Sequence, residues 1–265
     1  MTEIRAEITE TFPVLRYTAS IQERLECIVA REYSLTIVLN NRELATMLCT
    51  PGQLDCLTAG FLSSEGFINN RDEVKDLQVD ESMGVARLET LEDLVVDRDI
   101  LHKRVVSIGG GRGSAFYHTS DLDECKVTAD TTLSVREILT LAGQFQHASS
   151  VYDDTHGVHS AALSSGSQIM VYAEDIGRHN AVDKVFGRCF LDGIATEGLT
   201  LLTSGRISTE LVRKATYRGI PIIISIAVPT NLAVRFAEKI GITLVTSVRG
   251  GKMDVYTHGE RITGG

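Results

Sequence analysis

Short apolar runs alternate with amphipathic segments from Thr200 to the end of the chain. The runs TLLT, PIIISI and ITLVTS are typical of buried strands. The segments between them, STELVRKATYRG and TNLAVRFAEKIG, are typical of helices that end at Gly219 and Gly241. This order predicts a β-α-β-α-β unit in which at least part of the sheet is parallel, with right-handed crossovers.

Further elements are predicted around this unit. SQIMVYA, residues 167–173, predicts a strand that leads into the helix NAVDKVFGRCFLDG, and MDVYTH predicts a strand near the end of the sequence. SVREILTLAGQF predicts a helix that opens with a capping box between Ser134 and Glu137.

The first part of the chain has a mixed α and β pattern. SLTIVL and ELATML flank Asn40-Asn41, which predicts a hairpin, and VKDLQVD with GVARLET predicts a second one. TPGQLDCLTAGFLSSEG predicts a helix with Thr50 as N-cap, Pro51 at the first position, Gln53 as capping-box partner and Gly66 at the end. We therefore expect an N-terminal α+β region.

A glycine-rich and then polar stretch, SIGGGRGSAFYHTSDLDECKV, separates the two patterns. A loop of this length in a compact protein is usually functional or disordered. We place a domain boundary here, with a smaller α+β domain over residues 1–108 and a second domain over residues 109–265 that includes the loop near 119–126. The fold class predicted for the whole chain is α/β, or α+β overall.

Composition and charge exclude several classes of protein. The 265 residues carry a net charge of −9, which argues against nucleic-acid binding through a broad basic face. No apolar run is long enough to span a membrane, and the N-terminal residues do not resemble a secretory signal. Five cysteines, an odd number, favour a reducing compartment. These features predict a cytoplasmic protein without membrane or nucleic-acid partners.

Cations follow three of the four strands whose carboxyl ends should meet at one edge of the sheet. Ligands bind at this edge in open α/β sheets. The loops EDIGRHN, SGR, IAVPTN and SVRGGK follow the strands and carry Arg178, Arg206, Arg249 and Lys252, with His179 as a further possible cation. Each loop taken alone is an ordinary solvated loop, but together they predict an anion site.

The chemistry of these loops suits phosphate. Gly177, Gly205, Gly250 and Gly251 allow backbone N–H groups to approach an anion closely, and helix N-termini favour negative charge. Arginine supplies forked donors to phosphate oxygens. Glu174 and Asp175 do not suit that task; they would accept from a guanine edge or a ribose hydroxyl, or orient Arg178.

Two other features have functional and structural interpretations. His156 and His159, near Asp153 and Asp154, are conceivable metal ligands, but we favour a loop entering a short buried helix with His159 held by hydrogen bonds. No metal site is therefore predicted. Cys125 lies among Glu124, Lys126 and other charged residues, where a reactive thiol and an inert one are equally compatible with the sequence.

Several blocks together resemble the formate dehydrogenase accessory sulfurtransferase family, FdhD/NarQ. They are CTPGQLDCLTAGFLSSEGFI, GVHSAAL, EDIGRHNAVDKVFG, SGRISTELVRKA, GIPIIISIAVPTNLAV and SVRGGKMDVYTHGERI, and the resemblance runs from about Ser34 to Ile262. It implies a C-terminal domain similar to the cytidine deaminase fold, with three layers and a mixed sheet but no zinc site.

The resemblance also implies a function. Members of this family carry sulfur from a cysteine desulfurase to the molybdenum or tungsten bis(molybdopterin guanine dinucleotide) cofactor, which formate dehydrogenase then needs, and they are typically homodimers. A GDP-like nucleotide is the expected analogue of that cofactor. The implied cofactor-binding residues are Ser247, Val248, Arg249, Gly250, Gly251, Lys252, Arg178, His179, Ser204, Gly205 and Arg206.

The chain departs from the family pattern in its cysteine loop. The family usually has T-S-x-C-G-x-C-G, whereas TSDLDECK stands here, with Leu122 in place of the first cysteine and Asp123 and Lys126 in place of the glycines. Cys125 remains as the implied catalytic residue, since one thiolate suffices to hold a persulfide. The alternative is a protein that binds and delivers the cofactor without transferring sulfur. An unrelated nucleotide hydrolase is a further hypothesis, suggested only by the phosphate-like loops.

Overall fold

The structure, a computed structural model, describes residues 8–92 and 126–264 together with the backbone of 105–106 and 114–115. The N-terminal part contains a two-stranded ribbon, a four-stranded sheet and one long helix. Its elements are β1 (Thr9–Tyr17), β2 (Gln22–Ala30), β3 (Tyr33–Leu39), β4 (Arg42–Cys49), α1 (Leu54–Ser64), a 3₁₀ turn (Arg71–Glu73), β5 (Val74–Asp80), β6 (Val85–Thr90), β7 (Val105–Val106) and β8 (Ser114–Ala115).

Both predicted N-terminal hairpins are confirmed. β3 pairs with β4 across Asn40 and Asn41, whose φ angles of 46° and 60° are the left-handed values that a tight two-residue turn requires. β5 pairs with β6, and a parallel contact between β3 and β6 joins the two hairpins in the order β4-β3-β6-β5. Helix α1 packs on this sheet and buries Leu35, Ile37 and Leu57 between them.

The predicted start of α1 is wrong by several residues. The helix begins at Leu54, and its N-cap is Gln53, which has a left-handed φ of 52° and makes no side-chain cap. Thr50 does not cap the helix because its N–H and hydroxyl both bond to Asp175, 125 residues further along. Gly66 adopts a φ of 78° just beyond the helix, as a terminating glycine should.

The C-terminal part is built around a six-stranded sheet. Its elements are β9 (Leu133–Ser134), α2 (Val135–Gln146), α3 (Ser150–Thr155), β10 (His159–Ser165), β11 (Gln168–Asp175), α4 (Arg178–Asp192), β12 (Thr200–Thr203), α5 (Thr209–Tyr217), β13 (Ile222–Ser225), α6 (Asn231–Ile240), β14 (Thr243–Arg249), β15 (Lys252–Val255), a 3₁₀ turn (Gly259–Arg261) and β16 (Ile262–Thr263). The capping box predicted between Ser134 and Glu137 opens α2.

Strand directions confirm the predicted β-α-β-α-β unit. The sheet order is β11-β10-β12-β13-β14-β15, and β12, β13 and β14 are parallel to one another. β10 is antiparallel to both β11 and β12, so β11 also runs in the direction of the parallel strands. The carboxyl ends of β11, β12, β13 and β14 therefore lie at the same edge.

The sheet lies between two layers of helices. Leu201, Ile223 and Leu244 face α4, α5 and α6, whereas the alternate residues Leu202 and Ile224 face α2. Three layers and a mixed sheet are what the family resemblance implies for this part of the chain. Apolar side chains are needed on both faces because both are covered by helices.

One predicted element has the wrong type. YDDTHGVHSAAL was expected to be a loop that enters a short buried helix, but residues 159–165 form strand β10, which lies between β11 and β12. Ala161, Ala162 and Leu163 are fully buried on both faces of the sheet. A short apolar run without period-two alternation does not distinguish a doubly covered strand from a helix.

Helices α1 and α4 join the N-terminal sheet to the C-terminal layers through two glycines. A Cβ on Gly60 would lie 1.8 Å from the carbonyl oxygen of Asp183, and a Cβ on Gly187 would lie 1.8 Å from that of Cys56. Such close contact between backbones is open only to glycine.

The boundary predicted between residues 108 and 109 lies outside the described residues and stays a prediction. No helix in the described parts of the chain has the length and apolar character needed to cross a membrane.

Candidate functional site

The four loops expected to surround an anion lie at one edge of the six-stranded sheet, and hydrogen bonds connect three of them. The Ser225 hydroxyl donates to the Gly205 carbonyl at 2.8 Å and accepts from the Ala227 N–H at 3.0 Å. The Ala227 carbonyl in turn accepts from the Ser247 N–H at 3.1 Å. The loops after β12, β13 and β14 thus form one connected rim.

Arg178 and Arg206 are brought close together in this rim. A Cβ on Gly205 would lie 2.8 Å from Cβ and 2.9 Å from Cδ of Arg178, so the arginine side chain lies directly across the glycine. Burial, followed by the neighbouring guanidinium of Arg206, lowers the pKa of Arg178. Two like charges held this close favour an anion between or beside them.

The N-terminus of α4 strengthens this preference. Its N-cap is Gly177, which provides no side-chain cap, whereas Ser208 and Thr230 cap the neighbouring helices α5 and α6 with their hydroxyl groups. Backbone N–H groups in the first turn of a helix carry partial positive charge and attract anions. Arg178 is the first residue of α4, so its guanidinium and the helix end act on the same space.

Asp175 stabilises the turn between β11 and α4 that carries Arg178. Its fully buried carboxylate forms an ion pair with Lys184 at 2.7 Å and accepts from Thr50, from the Gly177 N–H at 2.9 Å and from the Asn180 amide at 2.9 Å. These bonds fix the turn between β11 and α4 to the end of β4. Both oxygens of Asp175 are engaged inside the protein, so of the roles considered for this carboxylate the geometry does not favour contact with a nucleotide.

Glu174 is also engaged by the protein. Its carboxylate accepts from the Tyr172 hydroxyl at 2.9 Å, and its backbone carbonyl accepts from the Lys184 ammonium group at 3.2 Å. Glu174 and Lys184 are therefore part of the support of the β11–α4 turn.

A second buried network lies behind the rim. Lys214 bonds to Asp183 at 2.6 Å, and Arg213 bonds to Glu65 at 3.1 Å, with all four side chains at most 2% exposed. Although burial lowers the pKa of Lys214, the Asp183 and Glu65 carboxylates outweigh it and the pKa is raised. The network ties α5 to both α1 and α4, so it fixes the helices on which the rim is built.

His179 does not add the cation that the sequence suggested. Its Nδ1 lies 3.5 Å from a carboxylate oxygen of Glu210, and its ring nitrogens are shielded from solvent. Burial, and then the positive charge of Lys214, hold its pKa well below the usual value. The imidazole is therefore neutral at pH 7.

The SVRGGK segment forms the β14–β15 hairpin. Gly250 and Gly251 adopt left-handed φ angles of 58° and 75°, and the exposed side chains of Arg249 and Lys252 flank the turn. Ser247 has a left-handed φ of 55° beside a bulge in the strand pairing. Val248 has its side chain in the core, 1% exposed, so it offers no side-chain contact to a ligand. Among the contacts of the described residues, none joins this hairpin directly to Arg178 or Arg206.

The two histidines considered as metal ligands have separate partners. His156 is exposed and packs edge-on against the Tyr152 ring, with centroids 5.1 Å apart. His159 lies at the rim, with Nδ1 at 3.2 Å from the Ser204 hydroxyl, as the hydrogen-bonded interpretation expected. Within the described ranges, no group of three His, Cys, Asp or Glu side chains could hold a metal ion.

His159 is the residue at this edge that the candidate set from the sequence left out. The turn SSGS, directly before the strand 168–175, was the available signal, because a turn before a strand suggests a hairpin and therefore a preceding strand.

The predicted catalytic residue, Cys125, lies outside the described residues. Cys49 and Cys56 are fully buried, and burial raises the pKa of each thiol to about 12.

Comparison with known proteins identifies the family. The model of the FdhD/NarQ family matches residues 30–263. This chain belongs to the FdhD/NarQ family. A protein of Bacillus subtilis (strain 168) named sulfur carrier protein FdhD is 37% identical over 257 residues, which cover 97% of this chain and 98% of the relative. A protein of the same name from Staphylococcus aureus (strain MRSA252) is 38% identical over 251 residues, 94% of this chain and 95% of the relative.

A solved structure has the same fold. The crystal structure of a protein described as a formate dehydrogenase accessory protein, from Desulfotalea psychrophila, superposes with a TM-score of 0.78 at 27% identity. The match covers 97% of this chain and 100% of that one. These findings confirm the family resemblance and the mixed α and β fold class predicted from the sequence.

Proposed function

We propose that this protein is a sulfur carrier that binds the molybdenum or tungsten bis(molybdopterin guanine dinucleotide) cofactor and sulfurates it during the maturation of formate dehydrogenase. Full-length similarity to curated relatives named sulfur carrier proteins supports the sulfur-carrier role. The observation that carries the cofactor assignment is the convergence of Arg178, Arg206 and the uncapped N-terminus of α4 at one sheet edge.

In the proposed sulfur step, Cys125 receives sulfur from the persulfide of a cysteine desulfurase. Its thiolate attacks the outer sulfur atom, a new S–S bond forms on Cys125, and the donor cysteine leaves as a thiolate. Formate dehydrogenase is the final recipient of the sulfurated cofactor, and the working unit is a homodimer. The buried thiols do not compete in this step, because burial raises the pKa of Cys49 and Cys56.

In the proposed binding step, the diphosphate of a guanine dinucleotide lies at the rim beside Arg178 and Arg206. Forked guanidinium donors and the first-turn N–H groups of α4 suit non-bridging phosphate oxygens. The β14–β15 hairpin, with Arg249 and Lys252, supplies further cations at the end of the same rim. The cofactor is the substrate of the reaction.

A persulfide assay tests the sulfur step. The protein is incubated with a cysteine desulfurase and cysteine, and peptides are analysed by mass spectrometry. We expect the Cys125 peptide to gain one sulfur atom in the wild type and in Cys27→Ala, a matched control with another thiol removed. A Cys125 peptide that never gains sulfur would leave delivery of the cofactor without sulfur transfer as the function.

Binding of GDP tests the cofactor pocket. A hydrogen bond to a charged group contributes about 1.5–3 kcal/mol, so Arg206→Ala and Arg249→Ala should each weaken GDP binding roughly tenfold or more. Arg188→Ala is the control, because Arg188 lies towards the other end of α4 in an exposed pair with Asp192. Isothermal titration calorimetry measures all three. Unchanged affinity in both rim variants would show that the pocket is assigned to the wrong place.

A further inference from the structure

His159 occupies the middle of the rim, although it was not among the cofactor-binding candidates. It is the first residue of β10, which lies between β11 and β12, and it stands opposite Asp175 in the strand register. The Ser204 N–H donates to the Ser160 carbonyl at 3.0 Å, so the SGR loop starts directly beside it. Arg178 and Arg206 are both close enough to influence its ionisation.

One ring nitrogen of His159 is engaged by Ser204. Nδ1 lies 3.2 Å from the Ser204 hydroxyl oxygen, which also accepts the Ser160 N–H at 2.9 Å. The Ser204 hydroxyl donates to Nδ1 or accepts from it according to the tautomer of the ring. When the hydroxyl donates, the ring proton of a neutral imidazole is on Nε2. A Ser204 hydroxyl that donates to Nδ1 therefore selects the Nε2–H tautomer.

Burial and the nearby cations lower the pKa of His159, which favours the neutral ring in the free protein. Burial, and then the Arg178 guanidinium, lower its pKa, and Arg206 acts in the same direction. Asp175 acts in the opposite direction but does not outweigh them. His179, which also interacts with His159, is neutral itself. In the Nε2–H tautomer, the ring offers a neutral donor close to two guanidinium groups.

We propose that the Nε2–H of His159 donates a hydrogen bond to a diphosphate oxygen of the guanine dinucleotide, between Arg178 and Arg206, and that Ser204 is the positioning residue that orients the ring. This inference rests on the proposed function, which supplies the ligand. The opposite tautomer would turn an Nε2 lone pair towards the anion and repel it. Among the described residues, no protein group occupies Nε2, which leaves it available to a ligand.

Two substitutions at one position separate the roles of the two ring nitrogens. The amide nitrogen of Gln can reach the position of Nε2, whereas the shorter Asn side chain can reproduce only Nδ1. We expect His159→Asn to weaken GDP binding about tenfold or more and His159→Gln by about threefold or less, measured by calorimetry. Unchanged GDP affinity in His159→Asn, or equal losses in both variants at unchanged thermal midpoint, would overturn the assignment.

The pH dependence of binding provides a second readout. The probe is diguanosine 5′-diphosphate, whose pyrophosphate does not titrate near neutral pH. A bound anion favours the protonated imidazole, so wild-type affinity should rise as pH falls from about 8 to about 5.5. His159→Asn and His159→Gln should lack this rise. A wild-type dependence no steeper than that of the variants would overturn the proposal.

Different binding results would contradict the role of His159 and the proposed function. If the wild type binds no GDP, the cofactor pocket itself is wrong. If the wild type binds GDP and Arg206→Ala weakens binding while His159→Asn does not, only the role of His159 is wrong.

Discussion

Replacing Gly60 by alanine tests the contact that joins the N-terminal sheet to the site. The added Cβ would lie 1.8 Å from the Asp183 carbonyl oxygen and 2.5 Å from its carbonyl carbon. Both atoms belong to the backbone of α4, so no side-chain rotation relieves the clash. The helices must separate by roughly 1.5 Å to restore ordinary van der Waals contact.

The size of the effect follows from two opposing terms. Overpacking of a core costs about 1–3 kcal/mol, and a rigid backbone contact belongs at the upper end of that range. Alanine in a helix interior recovers about 1 kcal/mol relative to glycine. The net loss for Gly60→Ala is therefore about 2 kcal/mol, which corresponds to a fall of roughly 4–8 °C in the thermal midpoint.

A matched glycine on another helix provides the control. Gly143 lies within α2, and a Cβ built there meets nothing within 4 Å. Gly143→Ala should therefore gain up to about 1 kcal/mol from helix propensity alone. Thermal unfolding followed by circular dichroism compares the two variants with the wild type. The steric reasoning is refuted if Gly60→Ala is as stable as Gly143→Ala.

Two further predictions concern buried charge and buried thiols. Lys184→Met leaves the Asp175 carboxylate buried and unpaired, so it should lower the free energy of unfolding in urea by about 3–5 kcal/mol. Adding Asp175→Asn should restore much of this loss. Wild-type stability in Lys184→Met alone would contradict the prediction. Burial raises the pKa of the Cys49 and Cys56 thiols to about 12 and that of Cys189 to about 11. These three thiols should therefore resist iodoacetamide at pH 8 until the protein is unfolded, which mass spectrometry would show. Thiols of the unfolded chain lose their protons at lower pH than the buried ones, so the free energy of unfolding should fall as pH rises from the ordinary thiol pKa of 9.0 towards about 11. A constant free energy of unfolding over this pH range would contradict the raised thiol pKa values.

Local patterns predicted the elements whose signals are local. The capping box at Ser134, the Asn40-Asn41 turn and the glycines that end α5 and α6 are determined by neighbouring residues, and all are found in the structure. Thr50 shows the limit of such patterns. T-P-G-Q has the composition of a helix start, but the partner of Thr50 is Asp175, which no local window contains.

Charged residues in the sequence could not be sorted into ligand-facing and internal ones for the same reason. Within EDIGRHNAVDKV, Asp175 and Lys184 bond to each other, while Asp183 bonds to Lys214 on another helix. Among these charged residues, Arg178 has its side chain packed across Gly205 in a neighbouring loop. The sorting depends on which residues of α1 and α5 meet α4, and this is a property of the tertiary structure.

The same pairing resolves the apparent conflict between a net charge of −9 and an anion site. At the β11–α4 turn, the carboxylate of Asp175 is fully buried and neutralised by Lys184. Behind it, two acids and two bases are almost fully buried together, so they add little net field. The rim itself carries Arg178, Arg206 and the His159 ring beside a helix N-terminus, and the Glu210 carboxylate offsets part of the positive charge at Arg178. A local electrostatic preference of this kind depends on where the acids are buried, so the charge of the whole chain does not decide it.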